Sequence, residues 1–93
     1  MNRVDFAERV ALRRGVPRAV AVEAVDEVIA AIQDVLHSGG RVELRGFGSF
    51  SVRALGGYTG RHPRTQAPLV VAPKRLPRFR PSRLLLERLN GAS

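Results

Sequence analysis

Residues 41–54 read RVELRGFGSFSVRA, and the fold turns on them. Val42 and Leu44 alternate with Arg41, Glu43 and Arg45; past a turn, Phe50, Val52 and Ala54 resume the same period of two. That is the pattern of two half-buried strands, and Gly46, Phe47 and Gly48 supply the turn between them, so the segment predicts a β-hairpin. Phe47, set between two glycines, is expected to fold back as an anchor rather than face water.

Upstream the period is helical. Asn2 followed by Asp5 resembles a capping box, with aspartate in place of glutamate. Phe6, Ala7, Val10 and Ala11 recur at helical spacing, Arg9, Arg13 and Arg14 fall on the other side, and Gly15 ends the run. A first helix is predicted near residues 3–14. Pro17 suits the start of a second helix, near 18–38, which runs without glycine or proline until Ser38, Gly39 and Gly40. Its apolar face, Ala21, Val25, Val28, Ile29, Ile32, Val35 and Leu36, is wider than one short helix covers. Either a second copy of the chain or the chain's own sheet is needed to cover the remainder.

Downstream, GYTGRHPRTQAPL (57–69) holds two glycines, two prolines and no acid, and cannot bury itself. Leu69, Val70 and Val71 predict a returning strand. Leu76 and Phe79 are expected as core contacts in a short extended segment whose Pro73, Pro77 and Pro81 disfavour a central ladder position. Ser82 is placed to cap a last helix, about residues 83–90, carrying Leu84, Leu85, Leu86 and Leu89. The whole of 1–93 reads as one α+β domain, with sheet and projecting arm over about 41–81.

Composition narrows the function. Ninety-three residues bury a modest fraction of their surface, and with no cysteine neither disulfides nor a cysteine metal site supplement a small core. Oligomerisation is the remaining common remedy. No apolar run reaches 18 residues and the N-terminus lacks the order of a secretory signal, so a soluble cytoplasmic protein is the expectation. The net charge of +8 is uneven: residues 1–38 carry five arginines against six acids, whereas 39–93 carry ten arginines and Lys74 against Glu43 and Glu87. A near-neutral scaffold bearing a cationic element points to a polyanion. Basic ribosomal and membrane-surface proteins share such a composition, and charge alone does not separate them.

Other chemistries find little support. Gly15, Val16 and Pro17 join two helices, but the second begins with Arg18 alone before an apolar run, which is poor material for a major-groove recognition helix. GYTG has the spacing of a nucleic-acid GxxG loop, yet its flanks are extended, and it lacks the lysine and hydroxyl of a phosphate-binding P-loop. His37 and His62 join no catalytic or metal-binding motif, so neither an enzyme, nor a metal, nor a cofactor is predicted. Arg53, Arg61, Arg64, Lys74, Arg75, Arg78 and Arg80 are instead placed to neutralise phosphates along a ribbon. Pro63, rigid and apolar near the ribbon tip, is suited either to wedging between base steps in a minor groove or simply to shaping a turn.

Residues 45–81 resemble the core and arm of the bacterial histone-like HU and integration host factor family, most specifically in GFGSF (46–50), GRHP (60–63) followed by Thr65, and F-x-P (79–81). The resemblance extends over nearly the whole chain. It implies an intertwined dimer with a helical body, a three-stranded antiparallel sheet per chain forming a saddle, and two extended β-ribbon arms reaching round the minor groove. It matches Pro63 to the intercalating proline, Arg61 to an arm arginine, Arg53 to a basic residue at the arm base, Arg80 and Arg83 to phosphate contacts on the body, and Phe47, Phe50 and Phe79 to the dimer's aromatic core. The implied function is largely sequence-nonspecific binding, bending and compaction of double-stranded DNA on the nucleoid, as a homodimer or with a paralogue. A sequence-preferring bender, an RNA/DNA chaperone and a dimeric protein-interaction module stand as alternatives. The chain departs from the family at His62 (usually asparagine), Gln66 (usually glycine), Leu55 and Tyr58 (commonly basic), Ala72–Pro73 (the usual proline shifted by one) and Ser82 (commonly glycine). His62 and Tyr58 are retained as DNA-facing candidates.

Overall fold

The computed structural model describes residues 1–91. Helix α1 (Arg3–Arg14) starts as its sequence predicts: Asn2 Oδ1 accepts the Asp5 N–H at 2.8 Å, and the Asp5 carboxylate accepts the Asn2 N–H at 3.4 Å. Two donors that a helix start leaves unpaired are thereby met. Helix α2 (Arg18–His37) follows Pro17 directly and stops one residue short of the predicted end, where Ser38 forms the cap. The helices meet through Ala7, Ala11, Ala21 and Val25, the buried core of the chain. These small side chains let the helices approach closely but bury little apolar area.

Strands β1 (Val42–Leu44) and β2 (Gly48–Leu55) form the predicted hairpin, pairing Val42 with Phe50 and Leu44 with Gly48. Gly46 takes the left-handed conformation (φ 81°) that a side chain resists, and the Phe47 N–H closes the turn on the Leu44 carbonyl at 2.9 Å. Strands β3 (Tyr58–Arg61) and β4 (Pro68–Val71) form a separate two-stranded ribbon. Strand β5 (Lys74–Pro81) returns along the whole of β2, so the main sheet has the order β1-β2-β5. The segment expected to be short is thus a full eight-residue strand. Its prolines are accommodated because β5 is an edge, where a missing N–H forfeits no ladder bond. Helix α3 (Arg83–Leu89) is capped by Ser82 Oγ, which accepts the Leu85 N–H at 3.1 Å.

Phe47 folds back onto the sheet, its ring 5.1 Å from Phe79, which lies 5.0 Å from Phe50, but within one chain it still faces water, being 44% exposed. Leu76 does not join them. Strand alternation puts it on the face opposite Phe79, paired with Arg53.

The chain leaves a large apolar area uncovered. Its accessible surface is 7985 Å², against about 5,300 Å² for a compact monomer of this mass. The radius of gyration, 19.4 Å, exceeds the roughly 12 Å of a globular domain of this length. The projecting ribbon accounts for part of the excess; the rest is spread over the helices and the main sheet, where Leu44, Phe47, Leu76 and Phe79 are also exposed. Ile32, Val35 and Leu36 are half-buried, and α2 touches β1 and β2. Phe6, Val28 and Ile29 are not covered, being 50%, 57% and 40% exposed along an open groove shared with Val10, Ala24 and Val25. The chain's own sheet therefore fails to satisfy the wide face of α2, and a second copy is what remains to cover it. Val28→Asp is expected to abolish the dimer in sedimentation velocity and to lose most helical circular dichroism with it, because the monomer retains too small a core to fold. A folded, dimeric Val28→Asp would show that the groove is not the interface.

Candidate nucleic-acid interface

The register of β2 with β5 sorts the sheet into two faces. Gly48, Phe50, Val52 and Ala54 pair with Pro81, Phe79, Pro77 and Arg75 on one; Ser49, Ser51, Arg53 and Leu55 pair with Arg80, Arg78, Leu76 and Lys74 on the other. The second face gathers Arg53, Lys74, Arg78 and Arg80, with two serine hydroxyls between them, and β1 brings Glu43 to its edge opposite Ser49, where it pairs with Arg41 at 2.6 Å. No acid stands between Glu43 and Glu87 in the sequence. Among the described residues the ion pairs involve Arg3, Arg18, Arg41 and Arg83, so this row of cations has no internal partner. Like charges held this close repel one another unless an external anion lies across them.

The arm leaves this sheet at a break. Leu55 pairs with Lys74 and Tyr58 with Val71, but Gly56–Gly57 and Ala72–Pro73 belong to neither ladder. A side chain at Gly57 would stand 2.7 Å from the Val71 carbonyl oxygen and 2.9 Å from Pro73 Cδ. Gly57 thus makes room for the proline at its shifted position. Beyond the break, Arg61, Thr59, Val70 and Pro68 share one ribbon face, and Tyr58, Gly60, Leu69 and Val71 the other.

The tip, His62–Ala67, is tied by its own hydrogen bonds. The His62 N–H donates to the Ala67 carbonyl and the Gln66 N–H to the His62 carbonyl, both at 2.9 Å; Arg61 Nη1 donates to the Gln66 carbonyl at 3.1 Å. Two departures from the family pattern find their physical reading here. Gln66 has φ 59°, the left-handed conformation for which glycine is the usual residue. His62 Nδ1 accepts the Arg64 N–H at 3.2 Å, the bond to residue i+2 that an asparagine side-chain oxygen makes in an Asx turn. Pro63 and Arg64 are held outward at the end of this closed turn, both exposed.

The predicted residues thus fall into groups. Arg53, Lys74, Arg78 and Arg80 share a sheet face, and Arg61, His62, Pro63 and Arg64 share the arm tip. Tyr58 is exposed at the arm root on the ribbon face opposite Arg61. Arg83 stands apart on α3, its Nε donating to Glu87 Oε1 at 2.9 Å. Arg75 lies on the sheet face away from the cationic row, its Nη2 donating to the Leu36 and His37 carbonyls at 2.8 and 3.0 Å. Phe47, Phe50 and Phe79 form one aromatic cluster. Arg45, which the alternation assigns to the outer side of the hairpin but which was not among the predicted phosphate contacts, lines a shallow hollow with Glu43, Ser49, Arg80 and Ser82.

A cationic sheet face continued by a two-stranded arm, on a body that exposes an apolar helical face, defines a ribbon-armed protein for binding a polyanionic duplex. The chain belongs to the bacterial DNA-binding protein family, whose model matches residues 1–90. It is 39% identical over 93 residues to integration host factor subunit alpha of Nitrobacter hamburgensis, covering 100% of this chain and 84% of that one. It is 37% identical over 90 residues to DNA-binding protein HU-beta of Serratia marcescens, covering 97% and 100%. Among solved structures, the Anabaena HU-DNA cocrystal structure matches with a TM-score of 0.83 at 29% identity, over 96% of this chain and 97% of that one. HU from Thermotoga maritima matches with a TM-score of 0.69 at 25% identity, over 96% and 98%.

Proposed function

We propose that a dimer of this chain, each copy acting as a single unit over residues 1–93, is an architectural protein of the nucleoid. It straddles double-stranded DNA with its cationic sheets, lays its two arms in the minor groove and bends the duplex with two Pro63 wedges. The observation that carries this reading is a cationic face whose carboxylate, Glu43, is paired with Arg41 at its β1 edge, joined to an arm that presents Pro63 at its tip. Arg53, Lys74, Arg78 and Arg80 neutralise phosphates on the saddle, and Arg83 does so from α3; Arg61 and Arg64 do so at the tip. Tyr58 packs on sugar at the arm root. His62 holds the tip turn, which leaves Pro63 rigidly presented.

Phosphate contacts carry little sequence information, so binding is largely nonspecific, and prebent, nicked or flexible duplexes are favoured because part of the bending cost is already met. The work done is mechanical compaction and bending, without catalysis. A salt titration with linear, nicked and prebent duplexes, and an RNA duplex as competitor, tests the proposal. Tighter binding to nicked than to linear DNA is expected, with RNA a weak competitor. Equal affinity for all three DNAs and effective competition by RNA would replace it with an RNA/DNA chaperone. In the same assay, Arg61→Ala is expected to lower affinity and to reduce the slope of log affinity against log salt by about 1 for each arm engaged. An unchanged slope excludes a phosphate contact at Arg61.

A further inference from the structure

The one arginine of β5 that turns away from the cationic face makes contacts of another kind. Arg75 pairs with Ala54 and shares its sheet face with Phe50, Val52, Pro77 and Phe79. Its Nη2 reaches across 39 and 38 residues of sequence to the carbonyls of Leu36 and His37, at 2.8 and 3.0 Å. These carbonyls lie in the last turn of α2, where a helix end carries partial negative charge, and the Leu36 carbonyl accepts the Gly39 N–H as well, at 3.0 Å. The only basic residue of that turn's own sequence is His37. Arg75 therefore supplies a charge-assisted cap from a different element. Its position in the chain gives the cap a second consequence: Arg75 is the second residue of β5, immediately past the break at Ala72–Pro73 where the arm joins the body.

We propose that Arg75 is a positioning residue for DNA binding, pinning the arm root to the end of α2 and so setting the arm's angle to the saddle, rather than a phosphate contact. This rests on the DNA-binding reading above for its purpose, but the tie itself is a property of the free protein. A phosphate competing for the same guanidinium nitrogen would have to strip the cap from α2. The neighbouring Lys74, Arg78 and Arg80, on the opposite face, face no such conflict.

The chain has no cysteine, so Val70→Cys, at an exposed arm position, places one spin label on each arm of the dimer. Double electron–electron resonance without DNA then reads the spread of arm-to-arm distances. Arg75→Ala is expected to broaden that distribution, and Arg75→Lys to restore it, because one ammonium can donate to both carbonyls. In salt titrations with DNA, Arg75→Ala and Arg75→Gln are both expected to keep the wild-type slope, with affinity falling about tenfold for alanine, a change of about 1.4 kcal/mol. The proposal is overturned by an unchanged distance distribution in Arg75→Ala, or by a slope reduced by about 1 per arm, the signature of a lost phosphate contact. Arg75→Gln keeps the slope test open should the alanine variant fail to fold. If the labelled parent binds no duplex at any salt, the DNA-binding reading falls, while the DNA-free distances still decide whether Arg75 holds the arm.

Discussion

Gly48→Ala is expected to lower the protein's melting midpoint by roughly 10 °C or more. A methyl group at Gly48 would stand 2.5 Å from the Arg80 carbonyl oxygen and 2.7 Å from two carbons of the Phe79 ring. The first neighbour is the backbone of the paired strand; the second belongs to the aromatic cluster that closes the sheet. Neither yields like the end of a flexible side chain, so β5 has to separate from β2 or Phe79 has to leave Phe47 and Phe50. Overpacking of this kind costs on the order of 3 kcal/mol per chain, enough to lower the melting midpoint by roughly 10 °C or more. The dimer doubles the effect, since both copies carry the change. Gly60→Ala is the control: it lies on the arm with nothing within 4 Å of the added methyl, and its midpoint should stay within about 1 °C. Thermal unfolding followed by circular dichroism compares the two. A Gly48→Ala midpoint matching that of Gly60→Ala would mean that the close contact at the sheet's end is not needed for folding.

Pro63→Ala is expected to separate bending from binding. The tip turn is closed by backbone bonds of His62, Gln66 and Ala67 and by His62 Nδ1, none of which uses the proline ring. The arm should therefore keep its shape and its cations when the ring is removed. What goes is the rigid apolar wedge, and with it the means of prising a base step apart. Fluorescence transfer between duplex ends at saturating protein should show the bend largely lost, while affinity for an already nicked or prebent duplex changes by less than about tenfold. An unchanged bend at saturation eliminates the wedge. A loss of affinity equal on bent and linear DNA would instead assign Pro63 to the turn alone.

Those outcomes bear on what the sequence made legible. Both first helices, the capping box at Asn2 and Asp5, and the hairpin about Gly46 follow from local periodicity and turn chemistry, and the structure places them within a residue of expectation. The full length of β5 was hidden by its prolines. Pro77 is unfavourable in a central strand and harmless at an edge, and only the complete strand order, β1-β2-β5, reveals which applies. The same long-range pairing decides which cations point together. Arg75, Arg78 and Arg80 look alike in the run KRLPRFRP, yet alternation sends Arg75 to the other face, against a helix end nearly forty residues away. Pairing with Glu87 likewise depends on α3 forming with Arg83 in its first turn. The tip was legible by resemblance more than by physics, and the left-handed backbone at Gln66 supplies the physical reason that glycine is usual there.

The four small residues between α1 and α2 have a consequence for how the protein behaves on dilution. Ala7, Ala11, Ala21 and Val25 cannot hold a solitary chain together, so dimerisation and folding are one equilibrium whose midpoint moves with concentration. Dilution is therefore expected to melt the protein as well as to dissociate it, and a thermal midpoint has meaning only at a stated concentration. Bound duplex, by taking up the dimer, is expected to raise the melting midpoint in the same way that added protein does.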